Sequence, residues 1–184
     1  LYVCDYANYK IRKITPSAVV TTLPGRSPPI LFPSLPATDF NLPTGVAVKP
    51  DGTVYVVEYE ANAITEISPT GVVRILAGNQ YGLQNGIGSN TAFYWPTDVV
   101  LDAAGNLYVT DMNNYCIRKI TPDSVVSTFV GGPGGYQDGV GLSARFNRPT
   151  SIAIDPLGNL YTTDVFNNRI RKIDVNRNVT TIAG

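Results

Sequence analysis

The stretch YQDGVGLSARF, Tyr136 to Phe146, places Gly139, Gly141 and Ala144 at the spacing G-x-G-x-x-A, which on paper is a loop for a dinucleotide pyrophosphate. Such a loop must follow a parallel strand and open a helix, because the helix N-terminus meets the phosphates. Here the glycines follow another glycine loop and lead to Pro149 and a strand-like run. An in-phase partner, NGIGSNTAF from Asn85 to Phe93, keeps the glycines as Gly86 and Gly88 and lacks the final Ala. The simpler reading is a connecting loop in each case. Its glycines take positive φ, Asp138 and Asn85 cap local backbone amides, and Phe93 and Phe146 anchor the loops in the core. Calcium at Asp138 is the other reading, but the spaced oxygen ligands of a calcium loop are missing.

Four acids, Asp5, Glu58, Asp111 and Asp164, recur every 53 residues and could ring a pore with metal ligands. A site is seldom repeated in every unit, whereas a turn must be. These acids are therefore expected to accept bonds from turn amides, or from Arg12, Arg118 and Arg171 in the next strand. The triplets Ile11–Lys13, Ile117–Lys119 and Ile170–Lys172 could form a basic ring for RNA. With 14 basic and 14 acidic residues and a net charge of zero, they read as strands with solvated charges, and no field favours nucleic acid or an anionic membrane. Histidine is absent, which removes the commonest general base and metal ligand and every Ser/His/Asp or Cys/His arrangement. Cys4 and Cys116 are too few and too far apart for a disulfide framework or a zinc site, and read as free thiols. Asn178-Val179-Thr180 is the single N-x-[ST] sequon, a candidate glycosylation site. No run of 18 apolar residues is present, so no helix inserts in a membrane, and no cofactor is implied.

The elements that position these residues come from a repeat. LYVCDYANYKIRKI begins at Leu1, VYVVEYEANAITEI at Val54, LYVTDMNNYCIRKI at Leu107 and LYTTDVFNNRIRKI at Leu160, each step being 53 residues. Gly25, Gly78, Gly131 and Gly184 close the copies, and Phe40, Phe93 and Phe146 are in phase. The units are 26–78, 79–131 and 132–184, with a partial unit at 1–25. In each full unit, short runs of β-branched and alternating residues are separated by Gly, Asn or Pro turns, the signature of an antiparallel meander of four strands. One such meander cannot bury both its faces. Repeats of this length bury them by stacking radially into a β-propeller. The fold class is all-β, with about four four-stranded blades. Val46/Val48, Val99/Leu101 and Ile152/Ile154 on the innermost strands, and Leu1, Val54, Leu107 and Leu160 on the second, are expected to face neighbouring blades. The fourth strand, which carries Asn178, is expected to be the outermost. The second unit departs from the pattern, with Glu58 for Asp and Thr65-Glu66 for Arg-Lys, and the linker RSPPILFPSLPATD is rich in proline.

The segment FNRPTSIAIDPLGNLYTTDVFNNRIRKI, Phe146 to Ile173, resembles the NHL repeat, a β-propeller family, and the resemblance extends over nearly the whole chain. It implies a ring that is usually six-bladed, roughly 320 residues at this step, so the chain is expected to be part of a larger ring or array. It does not imply one activity. Amidating lyases of this type hold zinc with histidines, which are missing here, and lactonase-like propellers use an asymmetric carboxylate and Asn set that does not stand out. The expected function is a non-enzymatic extracellular or cell-surface scaffold. It would bind protein or glycan, or assemble with itself through blade edges into a ring or filament. The alternative is an intracellular interaction propeller reading protein or RNA. A third reading is an enzyme whose metal ligands lie in further blades.

Overall fold

The structure, a computed structural model, describes residues 1–26 and 39–184. The proline-rich linker lies outside them except for its ends, Arg26 and Asp39, which pair as an isolated antiparallel bridge. The described residues form four antiparallel sheets. The first holds β1 (Tyr2–Asp5), β2 (Lys10–Ile14) and β3 (Val20–Thr22), and the second β4 (Pro43–Val48), β5 (Val54–Glu58), β6 (Ala63–Ile67) and β7 (Val73–Gly78). The third contains β8 (Gly86–Ile87), β9 (Pro96–Leu101), β10 (Leu107–Asp111), β11 (Cys116–Ile120) and β12 (Val125–Gly131). The fourth contains β13 (Gly139–Val140), β14 (Pro149–Ile154), β15 (Leu160–Asp164), β16 (Arg169–Ile173) and β17 (Asn178–Ala183). The sheets do not close on one another, and the result is an open arc of propeller blades.

The sheets are held together by three apolar clusters, one per junction. Ile11, Tyr2 and Cys4 pack against Val54, Val56 and Ile67. Tyr55, Val57 and Ile64 pack against Val99, Val109 and Ile120. Tyr108, Ile117 and Val130 pack against Ile152, Leu160 and Ile173. A strand inside the arc thus has protein on both faces. For that reason β5 and β10 are buried along their whole length and read as near-continuous apolar runs rather than clean alternation.

Two expectations need correction. The third and fourth blades have five strands, not four. The loop entering each blade returns to its outer edge, where Gly86 and Ile87 pair with Val126 and Val125, and Gly139 and Val140 with Val179 and Asn178. The fourth strand is therefore paired on its outer edge at Asn178 and Val179, which shortens the free row of backbone groups a sheet edge otherwise presents. Leu1 does not face a neighbouring blade. It is 77% exposed and Val3 37%, whereas the in-phase Val54 and Val56 are 3% and 0% exposed. The cause is position, since the first sheet has no described sheet on that side. The opposite end behaves alike. Ile170 is 36% exposed where its in-phase counterparts Ile64 and Ile117 are fully buried.

Candidate functional site

The phased acids form a buried clamp that ties each entering loop to its blade. In the third blade Asp111 ends β10 and Arg118 lies on β11, both with side chains fully buried. Arg118 Nη1 donates to Asp111 Oδ2 at 2.8 Å and to the Ala92 carbonyl at 3.0 Å. Its Nη2 donates to the Gln84 carbonyl at 3.0 Å and to Asn85 Oδ1 at 2.9 Å. Asp111 also accepts the Tyr94 backbone N–H and the Asn114 side-chain amide, and the guanidinium lies 5.0 Å from the Phe93 ring centre. The fourth blade repeats this with Arg171, Asp164, Asn167, Asp138 and Phe146. A planar guanidinium suits the role because its fork reaches several fixed acceptors at once.

This geometry corrects two readings. Arg118 and Arg171 are not solvated charges but among the most buried side chains of the protein. Asn85 and Asp138 do not cap local amides. Each receives an arginine Nη2 from more than thirty residues away, and Asp138 also accepts from the Thr181 backbone and hydroxyl. The remaining acids vary the scheme. Asp5 is half-exposed and takes Arg12 Nε at 3.1 Å and Asn8 at 2.8 Å. Glu58 is buried and meets Thr65 where the other blades have arginine. The missing cation is supplied by Arg26, whose Nη2 donates at 3.2 Å while its Nε makes an ionic contact at 2.9 Å. The glycines of the two loops, Gly86, Gly88, Gly139 and Gly141, all have positive φ, and each loop ends in a single 3-10 turn rather than a helix that could receive phosphate. Phe40, Phe93 and Phe146 are fully buried.

Burial raises the Asp111 carboxyl from 3.8 to about 6, against the opposing pull of Arg118 and the Asn114 and Tyr94 donors. A raised folded pKa means that between about pH 4 and 6 the folded chain holds this proton more tightly than the unfolded one. Asp111 therefore makes stability fall as pH rises through that window. Urea midpoints of the wild type and Asp111→Asn, measured from pH 4 to 7, should differ in slope there and run parallel above it.

A second arrangement, between blades, had no reading in the sequence. Thr97 and Thr110 both donate to the Thr150 carbonyl of the following blade, at 2.7 and 3.0 Å. The next residue, Asp98, accepts the Ile152 backbone N–H at 3.0 Å. Its carboxyl is raised by burial, with the Ile152 and Val99 amides opposing. The available signal was the phased threonines Thr44, Thr97 and Thr150.

Cys4 and Cys116 are free thiols. Burial, and then Asp98, pushes Cys4 up to about 12, and burial raises Cys116 well above its ordinary value. Neither supplies a thiolate at neutral pH. Iodoacetamide at pH 7.5 should leave both unmodified in the folded chain and label both in denaturant, as read by intact mass. Among the described residues, no three His, Cys, Asp or Glu side chains converge on a metal-sized space. No helix there is long and apolar enough to cross a membrane.

The family model described as NHL repeat matches residues 93–120 and 146–173. The Arabidopsis thaliana protein named SUPPRESSOR OF QUENCHING 1, chloroplastic, is 31% identical over 153 residues, covering 76% of this chain and 14% of that protein. Teneurin-3 of Danio rerio is 29% identical over 202 residues, covering 91% of this chain and 7% of that protein. A solved structure of an auxiliary nutrient binding protein from Bacteroides thetaiotaomicron superposes with a TM-score of 0.73 at 23% identity, over 98% of this chain and 44% of that one. The chain thus spans a small part of these curated relatives and under half of this structural neighbour.

Proposed function

Starting from a chain that carries NHL repeats, we propose a non-enzymatic binding propeller in which a further blade covers each end face. Its units are 26–78, 79–131 and 132–184, with a partial unit at 1–25, and it serves as an extracellular or cell-surface scaffold for protein or glycan partners.

One observation carries this reading, the free face of the last blade. Thr150 and Thr163 repeat the pair Thr97 and Thr110. Thr163 accepts the Ser151 N–H at 3.0 Å just as Thr110 accepts the Asp98 N–H at 2.8 Å. In the third blade this pair clamps a carbonyl of the following blade, whereas Thr150 turns its hydroxyl back onto the Arg148 carbonyl. Around the pair, Tyr161 and Ile170 stand where Tyr108 and Ile117 are buried. A blade of the same 53-residue kind fits that face, whether from the same chain or a second copy. Copies joined head to tail close into rings or run on as filaments.

Electron microscopy of native material tests this. Rings or fibres of more than four blades are expected, and isolated four-blade arcs would overturn it. The outer location draws support from a charged share of only 15% and from the sequon at Asn178. Its test is a loss of mass on treatment with an N-glycan-removing amidase. A stoichiometric metal in the intact protein would speak for the enzyme instead.

A further inference from the structure

Four aromatic rings form a continuous row across the second and third blades. Tyr59 stacks on Trp95 with centroids 5.4 Å apart and planes at 21°. Trp95 meets Tyr94 at 5.2 Å and 59°, and Tyr94 meets Tyr81 edge-on at 4.5 Å. Tyr81 is 70% exposed and the other three are half-buried. None belongs to the three clusters that hold the blades together. Tyrosine and tryptophan gathered in partial contact with water, outside the core, are the informative exception to ordinary burial.

The repeat shows which part of this row is architecture and which is not. Leu42, Trp95 and Arg148 occupy one repeat position, and all three adopt left-handed backbone, with φ of 51°, 54° and 59°. Asn41, Tyr94 and Asn147 occupy the position before it, and Tyr81 stands where the next unit has Gly134. The backbone is shared, and Tyr81, Tyr94 and Trp95 have no aromatic counterpart in the other units, whereas Tyr59 shares its position with Tyr6. They are also held in place. The Trp95 backbone N–H donates to Asn62 Oδ1 of the preceding blade at 2.8 Å, so the row is organised before any ligand arrives.

Polar groups gather around it. The Tyr59 phenol has a raised pKa, through burial first and then through Tyr6 and Glu60, with Arg148 acting in the opposite sense. Asn113, whose backbone N–H donates to the Tyr94 carbonyl at 3.1 Å, has a buried side-chain Oδ1 with no partner.

We propose that this shelf binds the sugar rings of a neutral glycan. The apolar C–H faces of pyranoses lie on aromatic planes, and their hydroxyls need acceptors and donors beside those planes, which the exposed Tyr81 phenol and the Glu60 and Arg148 side chains acting on Tyr59 supply. Single-stranded nucleic acid also stacks on aromatic rings, but its phosphates require a line of cations. Here Arg148 and Glu60 act on Tyr59 with opposite sign, and Arg148 is already placed 4.6 Å from the Phe166 ring centre. The inference rests on reading the chain as a binding propeller. Sedimentation of the same samples separates a failure of assembly from a failure of glycan binding.

Trp95 is the sole tryptophan of the chain, so its fluorescence reports directly on the shelf. The chain is titrated with cellohexaose, maltohexaose, mannohexaose and xylohexaose, with calorimetry in parallel. At least one should shift the Trp95 emission saturably. Tyr81→Ser, at an exposed position, and Trp95→Ala should each weaken that binding about tenfold with an unchanged circular-dichroism spectrum. The proposal is overturned if none of the four gives a saturable signal up to about 10 mM. It is equally overturned if Tyr81→Ser and Trp95→Ala bind as the wild type does, or if oligouridine or a decaproline peptide saturates the shelf while the sugars do not.

Discussion

Replacing Arg118 by leucine is expected to lower stability by about 3–5 kcal/mol, the usual result of breaking a buried ion pair from one side. The substitution leaves the Asp111 carboxylate without its cation. It also takes the charged donor from the Ala92 and Gln84 carbonyls and from Asn85 Oδ1, which keep only the longer bonds from the Gln84 N–H, the Ala92 N–H and the Thr128 hydroxyl. Leucine restores apolar contact with Phe93 and none of the four bonds. The loss therefore falls on the whole entering loop, including the two-residue strand β8 that closes the blade edge. Lys119→Ala, one residue on, removes only a partly exposed ammonium near the Tyr108 ring, and should cost well under about 1 kcal/mol. Urea midpoints by circular dichroism compare the two. Equal effects would show that the clamp contributes nothing particular.

The second large effect is expected at Gly78. Its φ is +85°, and an added Cβ would lie 2.3 Å from the Asn62 carbonyl oxygen and 2.8 Å from the Phe93 ring. Both neighbours are fixed, one as hairpin backbone and the other as the buried anchor of the next loop. Gly78→Ala thus combines left-handed strain with a clash that cannot relax, for a loss above about 3 kcal/mol. Gly71 has nearly the same φ, +86°, but its Cβ would meet only the Pro24 ring at 3.7 Å. Gly71→Ala should therefore show the backbone cost alone, about 1–2 kcal/mol. The difference between the two, read from urea midpoints, isolates the steric part.

What the sequence reveals follows from what repetition constrains. Every hairpin of the arc needs the same turn, so the 53-residue step, the phased glycines and the phased phenylalanines are readable, and with them the blades. Charge partners are less readable. Apart from Asp111, Arg118 draws its acceptors from residues 26 to 34 positions earlier, and no local pattern distinguishes a buried guanidinium from a solvated one. Glu58 shows the difficulty most clearly. Its unit lacks the usual arginine, and the substitute, Arg26, stands where the other units have Asn79 and Gly132. The extra edge strands are two residues long and pair with partners 38 to 40 residues away, too short to leave a periodic trace. The aromatic shelf escapes for the opposite reason. It is a departure from the repeat, and its members come together only when two blades pack.

The central claim is that both end faces are docking surfaces for further blades. Sedimentation velocity of the chain, alongside Ile170→Asp and Val3→Asp, tests it most directly. The account predicts concentration-dependent association of the wild type and its loss in either variant, because each charge sits on one of the two faces that must meet. It would be contradicted by a wild type that stays a single 19.8 kDa species at every concentration while the amides of β1 to β3 and β14 to β17 resist hydrogen exchange as strongly as those of β9 to β12.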